Sequence, residues 1–442
     1  MTTTMTAAPV LRPGDHGYDE ARSVWNGMID RRPQMIVRCT SGADVRAALR
    51  TARDHGLEIG VRCGGHSILG FAVPADGLMI DLRPMGAVRV DPVRKLAYVQ
   101  GGALLGALDR ATQPYGLATT AGNVSHTGVG GLTLGGGLGW LARQHGLACD
   151  NVESFEVVTA AGEIVRASRT EHPELFWGLR GGGGNFGIVT EFVFRLHDVG
   201  TRAFVVELGH PVDRALPVLR GWRDLAASAP RRATFTATVG RDGTVTVGYV
   251  WVGDPAQGRR LLPALEALGR PTASQVTEMS YVDLQTRDDS AAGHAVRRYW
   301  KGHYLPALPD DAVEAFLLRG TRDGHGEHLP SASLQAYGGA IADVADDDAA
   351  FSHRGTMFEY VGATAWTDPA EDEPRIAAAR RAGAALAPYA RGAYVNTLGD
   401  EGAQGIRRAY PAGKLARLAA LKDAYDPDNV FHLNQNIHPS AA

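Results

Sequence analysis

The chain has 442 residues, 44% of them hydrophobic, which is long enough for two or three domains with sizeable cores. Its 45 basic and 48 acidic residues give a net charge of −3 without a long run of one sign, which favours a small-molecule partner over nucleic acid or a membrane surface. Three scattered cysteines argue against a disulfide framework or a zinc site. No basic leader and no apolar stretch of about eighteen residues occurs, so we expect a soluble, cytoplasmic protein without a bound metal.

Strands and helices alternate in the first part of the chain. A polar arm over residues 1–30 carries a short helix at 18–25, and periodicity then predicts a β-α-β unit. Its parts are a strand at 35–37, a helix at 43–55 capped by Thr40 and Ser41, and a strand at 58–62. Later elements are predicted as a strand at 77–82, a hairpin at 88–99, a helix at 104–115, strands at 154–159 and 163–166, a helix at 171–179 and a strand at 188–196.

The β-α-β unit ends in Val61-Arg-Cys-Gly-Gly-His-Ser67. Two glycines let consecutive N–H groups converge on phosphate oxygens, and His66 would then stand beside the phosphorylated ligand. An ordinary tight turn with a solvated histidine is the alternative that this loop alone does not exclude.

Two further glycine clusters follow this loop. Glycine occupies eight of the twenty positions in 121–140, and Arg180-Gly-Gly-Gly-Gly-Asn-Phe-Gly187 forms the last cluster. We expect no packed helix or central strand in 121–140, and its apolar residues argue for a ligand cradle over a surface linker. The three clusters together indicate one extended cofactor. A classical dinucleotide-binding fold is rejected, because neither late cluster opens a helix directly after a strand with an acidic residue about twenty positions on.

From Arg202 onward the sequence contains fewer glycines, and apolar and polar residues alternate with period two, as in strands. This pattern predicts a second domain with an antiparallel sheet, and an α+β class for the chain. Its predicted strands are 203–208, 233–239, 244–251, 334–341 and 356–366, and its predicted helices are 214–229, 255–268 and 373–386. A helix at 414–423 precedes an extended tail in which Asn434 and Asn436 face the same side, either toward a ligand or within a hydrogen-bonded terminus.

Five motifs carry a resemblance to a known family. They are Arg62-Cys-Gly-Gly-His-Ser67, Gly128-Val-Gly-Gly-Leu-Thr-Leu-Gly-Gly-Gly-Leu-Gly139, Arg143-Gln-His-Gly-Leu-Ala-Cys-Asp-Asn-Val152, Glu174-Leu-Phe-Trp-Gly-Leu-Arg-Gly-Gly-Gly-Gly-Asn-Phe-Gly-Ile-Val189 and Tyr425-Asp-Pro-Asp-Asn-Val-Phe-His-Leu-Asn-Gln-Asn-Ile437. With them the chain resembles the covalent flavoprotein oxidases that have a vanillyl-alcohol-oxidase-type FAD domain. Within these it is similar to the berberine-bridge-enzyme-like branch, which includes bacterial 6-hydroxynicotine and sugar oxidases.

The resemblance implies a two-domain FAD-linked oxidase. Its parts would be an arm (1–30), an FAD-binding domain (31–200), a substrate-binding domain with an antiparallel sheet (201–410) and a C-terminal segment that returns to the FAD domain (411–442). His66 holds the position of the histidine that bonds to the 8-methyl carbon of FAD. Many relatives form a second bond through a cysteine where this chain has Val124, so a single bond is expected.

The residues implied to bind FAD come from all three glycine clusters and the tail. They are Arg62, Cys63, Gly64, Gly65, His66, Ser67, Gly122, Val124, Thr127, Gly128, Gly131, Leu134, Gly135, Gly137, Gly187, Ile188, Val189, Asn434 and Asn436.

The catalytic base is left open among three candidates. In relatives a tyrosine in a Tyr-x-Asn motif lies near the flavin, and Tyr394-Val-Asn396 matches it. A Glu or Gln of relatives falls on or near Val361, with Glu359 on the same strand face, and His126 lies in the expected cradle. His303 and Tyr304 are weaker candidates. For each residue, a buried and hydrogen-bonded structural role is the alternative.

The resemblance implies oxidation of a small organic or secondary-metabolite substrate by hydride transfer to FAD, with O₂ as acceptor and hydrogen peroxide as product. A dehydrogenase or oxidative cyclase with another acceptor, and a flavin-binding protein without turnover, are the alternatives.

Overall fold

The computed structural model of the protein describes residues 8–289 and 296–440. The strands are β1 Val10–Leu11, β2 Met35–Arg38, β3 Ile59–Arg62, β4 Leu78–Asp81, β5 Val88–Asp91, β6 Leu96–Gln100, β7 Leu117–Ala118, β8 Val152–Val158, β9 Ile164–Ser168, β10 Ile188–Arg195, β11 His197–Asp198, β12 Arg202–Pro211, β13 Ala233–Val239, β14 Thr244–Val252, β15 Ala273–Ser280, β16 Arg297–Leu305, β17 Ser331–Ala336 and β18 Phe358–Trp366.

The α-helices are α1 Tyr18–Arg22, α2 Gly42–Asp54, α3 Leu105–Thr112, α4 Val129–Leu134, α5 Ala142–His145, α6 Pro173–Leu179, α7 Ala215–Ala227, α8 Pro255–Gly258, α9 Leu262–Glu266, α10 Tyr281–Thr286, α11 Asp310–Leu318, α12 Ala340–Asp343, α13 Asp372–Leu386, α14 Gly402–Ala409 and α15 Ala412–Tyr425. Within residues 8–289 and 296–440, no helix has the length and apolar character needed to cross a bilayer.

The first sheet has the strand order β1-β2-β4-β3, with β4 parallel to both β2 and β3. The predicted β-α-β unit forms, but β4 is inserted between its two strands. Helix α2 begins after Ser41, whose hydroxyl accepts a hydrogen bond from the Asp44 N–H, and it buries Val45 and Leu49 against the sheet. The Gly-Gly-His loop begins directly after Arg62, the last residue of β3.

The second sheet is antiparallel, with the order β5-β6-β10-β8-β9. The predicted hairpin is confirmed as β5 and β6, which pair from Val88–Val99 to Asp91–Leu96. Phe155 of β8 and Phe192 of β10 pack edge to face at 5.5 Å within the core. The third glycine cluster leads directly into β10, so this sheet positions that cluster.

The third sheet is a seven-stranded antiparallel layer with the order β15-β12-β14-β13-β17-β18-β16. Trp222 of α7, Phe316 of α11 and Leu386 of α13 are buried in the same core as the sheet residues Tyr249 and Phe358. The predicted α+β class and antiparallel sheet are confirmed. The register places Gln335, Glu359 and Tyr304 side by side on β17, β18 and β16.

Expectations about local structure were wrong in the cradle and in the large sheet. The cradle at 121–140 contains a helix, α4, because burial of Val129 and Leu134 offsets the cost of its glycines. The strand expected at 334–341 ends at Ala336, since Gly338 and Gly339 adopt φ of 78° and 59° and turn the chain into α12. Strands β15 and β16 and helix α11 were not predicted; the four consecutive exposed residues at the start of β15 give no period-two signal.

Candidate functional site

A cavity of about 480 Å³ lies where the three glycine clusters meet the C-terminal tail. Ten glycines line it, and no Asp, Glu, Lys or Arg is among the described lining residues. A phosphorylated ligand in this cavity would therefore be bound by backbone N–H groups and by Ser, Thr and Asn side chains, not by charged side chains.

Fifteen of the residues selected from the sequence line this cavity. They are Cys63, Gly64, Gly65, His66, Ser67, Val124, Thr127, Gly128, Gly131, Leu134, Gly187, Ile188, Val189, Tyr394 and Asn434. The others named for the cofactor or the chemistry are not among the described lining residues: Arg62, Gly122, Gly135, Gly137, Asn436, His126 and Glu359.

Arg62 is buried and points away from the cavity. Its Nη1 donates to the carbonyl of Ala21 in α1, and burial lowers the pKa of its guanidinium to about 10. The side chain therefore fastens the N-terminal arm to the end of β3.

The glycines serve two different purposes. A Cβ on Gly64 would stand 2.2 Å from the backbone nitrogen of Gly128, so the first two clusters touch backbone to backbone. Gly122 and Gly135 make room for protein side chains in the same way, Leu132 and Asn396 respectively. By contrast, a Cβ on Gly131 or on Gly184 would meet nothing within 4 Å, and both residues line the cavity. These two leave space for a ligand.

His66 lies on the cavity wall and is held from several sides. Its Nε2 is 2.8 Å from Nδ1 of His126, and its Nδ1 is 3.4 Å from Oγ1 of Thr127. The Trp25 ring stacks on it with centroids 5.0 Å apart and an interplanar angle of 15°. His126 therefore contacts His66 and does not line the cavity. The imidazole of His66 has one orientation and a defined partner for each nitrogen.

Tyr394 lines the cavity together with Asn396. Its hydroxyl oxygen accepts hydrogen bonds from the Gly137 N–H and the Asn396 amide, both at 2.8 Å. Burial raises the pKa of Tyr394 and the charge of Glu359 adds to this, while the two donors lower it. Gly137, selected as a cofactor residue, thus contacts Tyr394.

A buried polar cluster lies beyond Tyr394. Glu359 Oε2 is 3.4 Å from the Tyr337 hydroxyl, which is 3.2 Å from the Tyr304 hydroxyl, while Glu359 Oε1 has no protein partner. Burial raises the pKa of Glu359 to about 8, although the Tyr337 hydrogen bond opposes the shift. The rings of Tyr304 and Tyr394 stack at 6.4 Å. Glu359 is therefore connected to Tyr394 of the cavity through Tyr337 and Tyr304.

Protein contacts hold both ring nitrogens of His303. Its Nε2 is 2.8 Å from the Gly383 carbonyl and its Nδ1 accepts from Arg408 at 2.6 Å. Burial, with Arg408 beside it, lowers its pKa to about 4.

The two asparagines of the tail differ in position. Asn434 lines the cavity, where its amide nitrogen donates to the Phe431 carbonyl at 2.9 Å and its Oδ1 is buried without a protein partner. Asn436 is not among the described lining residues, and its Oδ1 is also buried and unpartnered.

Sequence reasoning missed Trp25, Trp300 and Asn185, which also line the cavity. Trp25 was assigned to the arm helix, which ends at Arg22 instead. Its contact with His66 joins residues far apart in the chain, so no local pattern could have shown it. Asn185 belongs to the third glycine motif, and its position among the glycines was the available signal.

Comparison with known proteins agrees with this architecture. The family described as "FAD binding domain" matches residues 33–168, and the family "Berberine and berberine like" matches residues 393–438. The chain is 30% identical to (R)-6-hydroxynicotine oxidase of Paenarthrobacter nicotinovorans, over 98% of this chain and 97% of that relative. It is also 30% identical to glucooligosaccharide oxidase of Sarocladium strictum, over 96% and 91% of the two chains.

The fold is shared with a solved structure. The 6-hydroxy-D-nicotine oxidase from Arthrobacter nicotinovorans superposes with a TM-score of 0.88 at 29% identity, covering 98% of each chain. A two-sheet cradle with a Gly-Gly-His loop, joined to a large antiparallel sheet, defines an FAD-linked oxidoreductase. The chain belongs to the berberine-bridge-enzyme-like family of FAD-linked oxidoreductases, and its cofactor is FAD.

The residues of the cavity fit this cofactor. The open positions at Gly131 and Gly184 leave room for a ligand that approaches the backbone, and the unpartnered Oδ1 of Asn434 offers a buried acceptor. An apolar wall of Ile59, Val61, Ile188 and Phe431 suits flat rings, and His66 stands at the edge of the same cavity.

Proposed function

We propose that this enzyme oxidises a small organic substrate with FAD attached covalently through His66, and that O₂ accepts the electrons and leaves as hydrogen peroxide. One observation carries the proposal: His66 and Tyr394 line the same cavity, which all three glycine clusters enclose. When bound, FAD supplies the hydride acceptor. The division into an FAD-binding part at 31–200 and a substrate-binding part at 201–410 belongs to this proposal, as does a cytoplasmic location.

His66 is the proposed attachment residue. Its imidazole is held in one orientation by Trp25 and His126, so a ring nitrogen can meet an electrophilic carbon without losing rotational freedom. Val124 lines the cavity at the position where many relatives have the second attachment, and its side chain has no nucleophilic atom. A single covalent bond follows.

Tyr394 is the proposed proton acceptor for a hydroxyl or amine of the substrate. Burial keeps the pKa of Tyr394 above its ordinary value, but its oxygen already accepts two hydrogen bonds, and these donors stabilise the deprotonated form that accepts a proton. Of the candidates from the sequence, only Tyr394 lines the cavity. Glu359 acts behind it as a buried carboxyl, and His126 is directed at His66.

The proposed substrate carries an alcohol or amine group, for which Asn396, Thr397 and Gln435 of the lining offer neutral hydrogen-bonding partners. The two relatives are named for (R)-6-hydroxynicotine and for glucooligosaccharides, which contain such groups.

Covalent attachment is tested by acid precipitation of the purified protein. We expect the yellow colour to stay with the pellet of wild type and to pass into the supernatant for His66→Ala. A wild-type protein that releases all its flavin, or a His66→Ala variant that retains it covalently, would contradict the proposal.

Turnover is tested with a panel of amines, alcohols and oligosaccharides. We expect at least one compound to bleach the flavin without air and to yield hydrogen peroxide with air. Bleaching that reverses only with an artificial acceptor would indicate a dehydrogenase. A flavin that no panel compound bleaches would favour binding without turnover.

A further inference from the structure

The pair formed by His66 and His126 is not required by the substrate chemistry proposed above. The two rings are joined by an Nε2···Nδ1 contact of 2.8 Å, and their centroids are 4.8 Å apart at an angle of 35°. A contact of this length between two imidazoles holds one proton between the two nitrogens. His66 is the member of the pair that lines the cavity.

The loop that carries His126 is anchored independently of its ring. Asp289 accepts hydrogen bonds from the Ser125 N–H at 2.8 Å and from the Ser125 hydroxyl at 2.6 Å. Trp25 covers one face of the His66 ring. The distance between the two imidazoles is therefore set by the fold on both sides.

We propose that His126 is the residue that activates His66 for covalent attachment of FAD, by holding its reactive tautomer and accepting its proton. This inference rests on the covalent attachment proposed above. With the Nε2 proton directed at His126, the lone pair of His66 is on Nδ1, where the Thr127 hydroxyl lies 3.4 Å away, and the proposal assigns the new bond to Nδ1. His126 is a positioning residue, because it acts through His66.

Attachment joins His66 to the flavin with the loss of two protons and two electrons. A bond forms between His66 Nδ1 and the 8-methyl carbon of the flavin, and that carbon loses one proton. His66 loses its Nε2 proton to Nδ1 of His126. The two electrons are taken up by the ring and then by O₂, which leaves with two protons as hydrogen peroxide. A neutral imidazole becomes cationic when its unprotonated nitrogen bonds to carbon. Proton acceptance by His126 removes this charge from His66 and so lowers the cost of the step.

The test measures the rate of attachment in the full chain. Wild type, His126→Ala and His126→Asn are purified with FAD in air, and samples are precipitated with acid over time. Covalent flavin is followed by fluorescence of the denatured band and by intact mass. We expect His126→Ala to attach flavin about 100-fold more slowly than wild type, as for loss of a general base, while it still binds FAD reversibly.

Two further measurements separate proton acceptance from packing. Added imidazole is expected to restore attachment in His126→Ala. The Asn side chain has an acceptor near the place of Nδ1 but takes up no proton, so His126→Asn is expected to stay at least about 10-fold slower than wild type. Ser125→Ala is the matched control, since it removes only the hydroxyl bond to Asp289, keeps the backbone N–H bond that anchors the loop, and leaves His126 in place. It should attach flavin at nearly the wild-type rate.

Several outcomes would overturn the inference. They are wild-type rates in His126→Ala or in His126→Asn, an equal loss in Ser125→Ala, the absence of rescue by imidazole, and a loss of reversible FAD binding in both His126 variants but not in Ser125→Ala. Wild type without covalent flavin would instead contradict the proposed attachment itself.

Discussion

Tyr394 is the residue at which the cavity meets the buried polar cluster of the large sheet. Its hydroxyl is bound by the Gly137 N–H and by Asn396, and its ring stacks on Tyr304, which lies beside Glu359 in the strand register. Burial raises the pKa of Tyr394 and the nearby Glu359 carboxyl adds to this, while the two donors on its oxygen oppose the shift. The cradle therefore holds the Tyr394 hydroxyl through Gly137, and Glu359 of the large sheet contributes to the pKa of Tyr394.

Tyr394→Phe is expected to lower kcat/KM by about 10²- to 10⁴-fold, because the group that accepts the substrate proton is lost. The covalent flavin content should be unchanged. Tyr360→Phe is the matched control. The Tyr360 hydroxyl is buried without a protein partner, and Tyr360 follows Glu359 directly on β18. Steady-state kinetics with the substrate found in the panel check this. Equal losses in the two variants would contradict a specific role of Tyr394.

Glu359→Gln is expected to raise stability at alkaline pH relative to wild type. Burial raises the pKa of Glu359 to about 8, above the value of about 4.3 for an unfolded chain. Between these values the folded state binds a proton that the unfolded state has released, so the free energy of unfolding falls as pH rises, by at most about 1.4 kcal/mol per unit. Urea unfolding at pH 5 and pH 8 measures it. A fall that is equally steep in Glu359→Gln would assign the pH dependence to other groups.

At the scale of elements, the glycine clusters bring segments together as much as they bind a ligand. Gly64 and Gly128 let the loop after β3 touch the start of α4, and Gly130 of α4 lies against the Gly101 carbonyl at the end of β6. Helix α4 consequently forms between the segments that follow β3 and β6, despite its poor intrinsic propensity. Gly131, on the open side of the same helix, faces the cavity.

Gly64→Ala and Gly131→Ala are expected to have opposite effects. The Cβ of Gly64→Ala would stand 2.2 Å from the Gly128 nitrogen, so we expect a loss of about 1–3 kcal/mol in unfolding free energy. Gly131→Ala meets no protein atom and should keep or raise stability by about 0.5–1 kcal/mol, while its methyl group takes space from the cofactor. Thermal unfolding and reversible FAD binding, both in a His66→Ala background, measure this. Unchanged FAD affinity in Gly131→Ala would contradict the placement of the cofactor.

At the scale of the whole molecule, buried polar contacts join the cradle to the large sheet. Arg354, from the segment before β18, forms hydrogen bonds of 3.0 and 2.7 Å to Asp150, next to the start of β8. The two side chains are 3% and 5% exposed. Asn26 likewise bonds to Ile68 and Arg298, and so fastens β16 to the segment after His66. These contacts join segments around the cavity to the large sheet.

Arg354→Met is expected to lower the free energy of unfolding by about 3–5 kcal/mol, because Asp150 is left buried without its cation. Arg231→Met removes an ion pair with Asp343 in which both side chains are 55% exposed, and it should leave the free energy of unfolding almost unchanged because solvent screens the pair. Urea unfolding of the two variants checks the contrast. Similar small losses would show that the Arg354 pair contributes little to the junction.

The regular elements could be predicted from sequence where apolar residues repeat with one period. The hairpin at β5 and β6, strands β13, β14 and β18 and helix α13 are of this kind. Strand β15 was missed because it begins with four exposed residues, and α4 because tertiary packing overrides the propensity of glycine.

For the site, the sequence by itself determined which loops are rich in glycine, that a histidine stands in the first of them, and that a Tyr-x-Asn segment occurs late in the chain. These features depend on a few adjacent residues. Only the tertiary structure decided that His126 meets His66, that Gly137 binds Tyr394, and which glycines face the cavity. The contacts join residues 60 and 257 positions apart, and their geometry is set by how the sheets pack, not by any local preference of the chain.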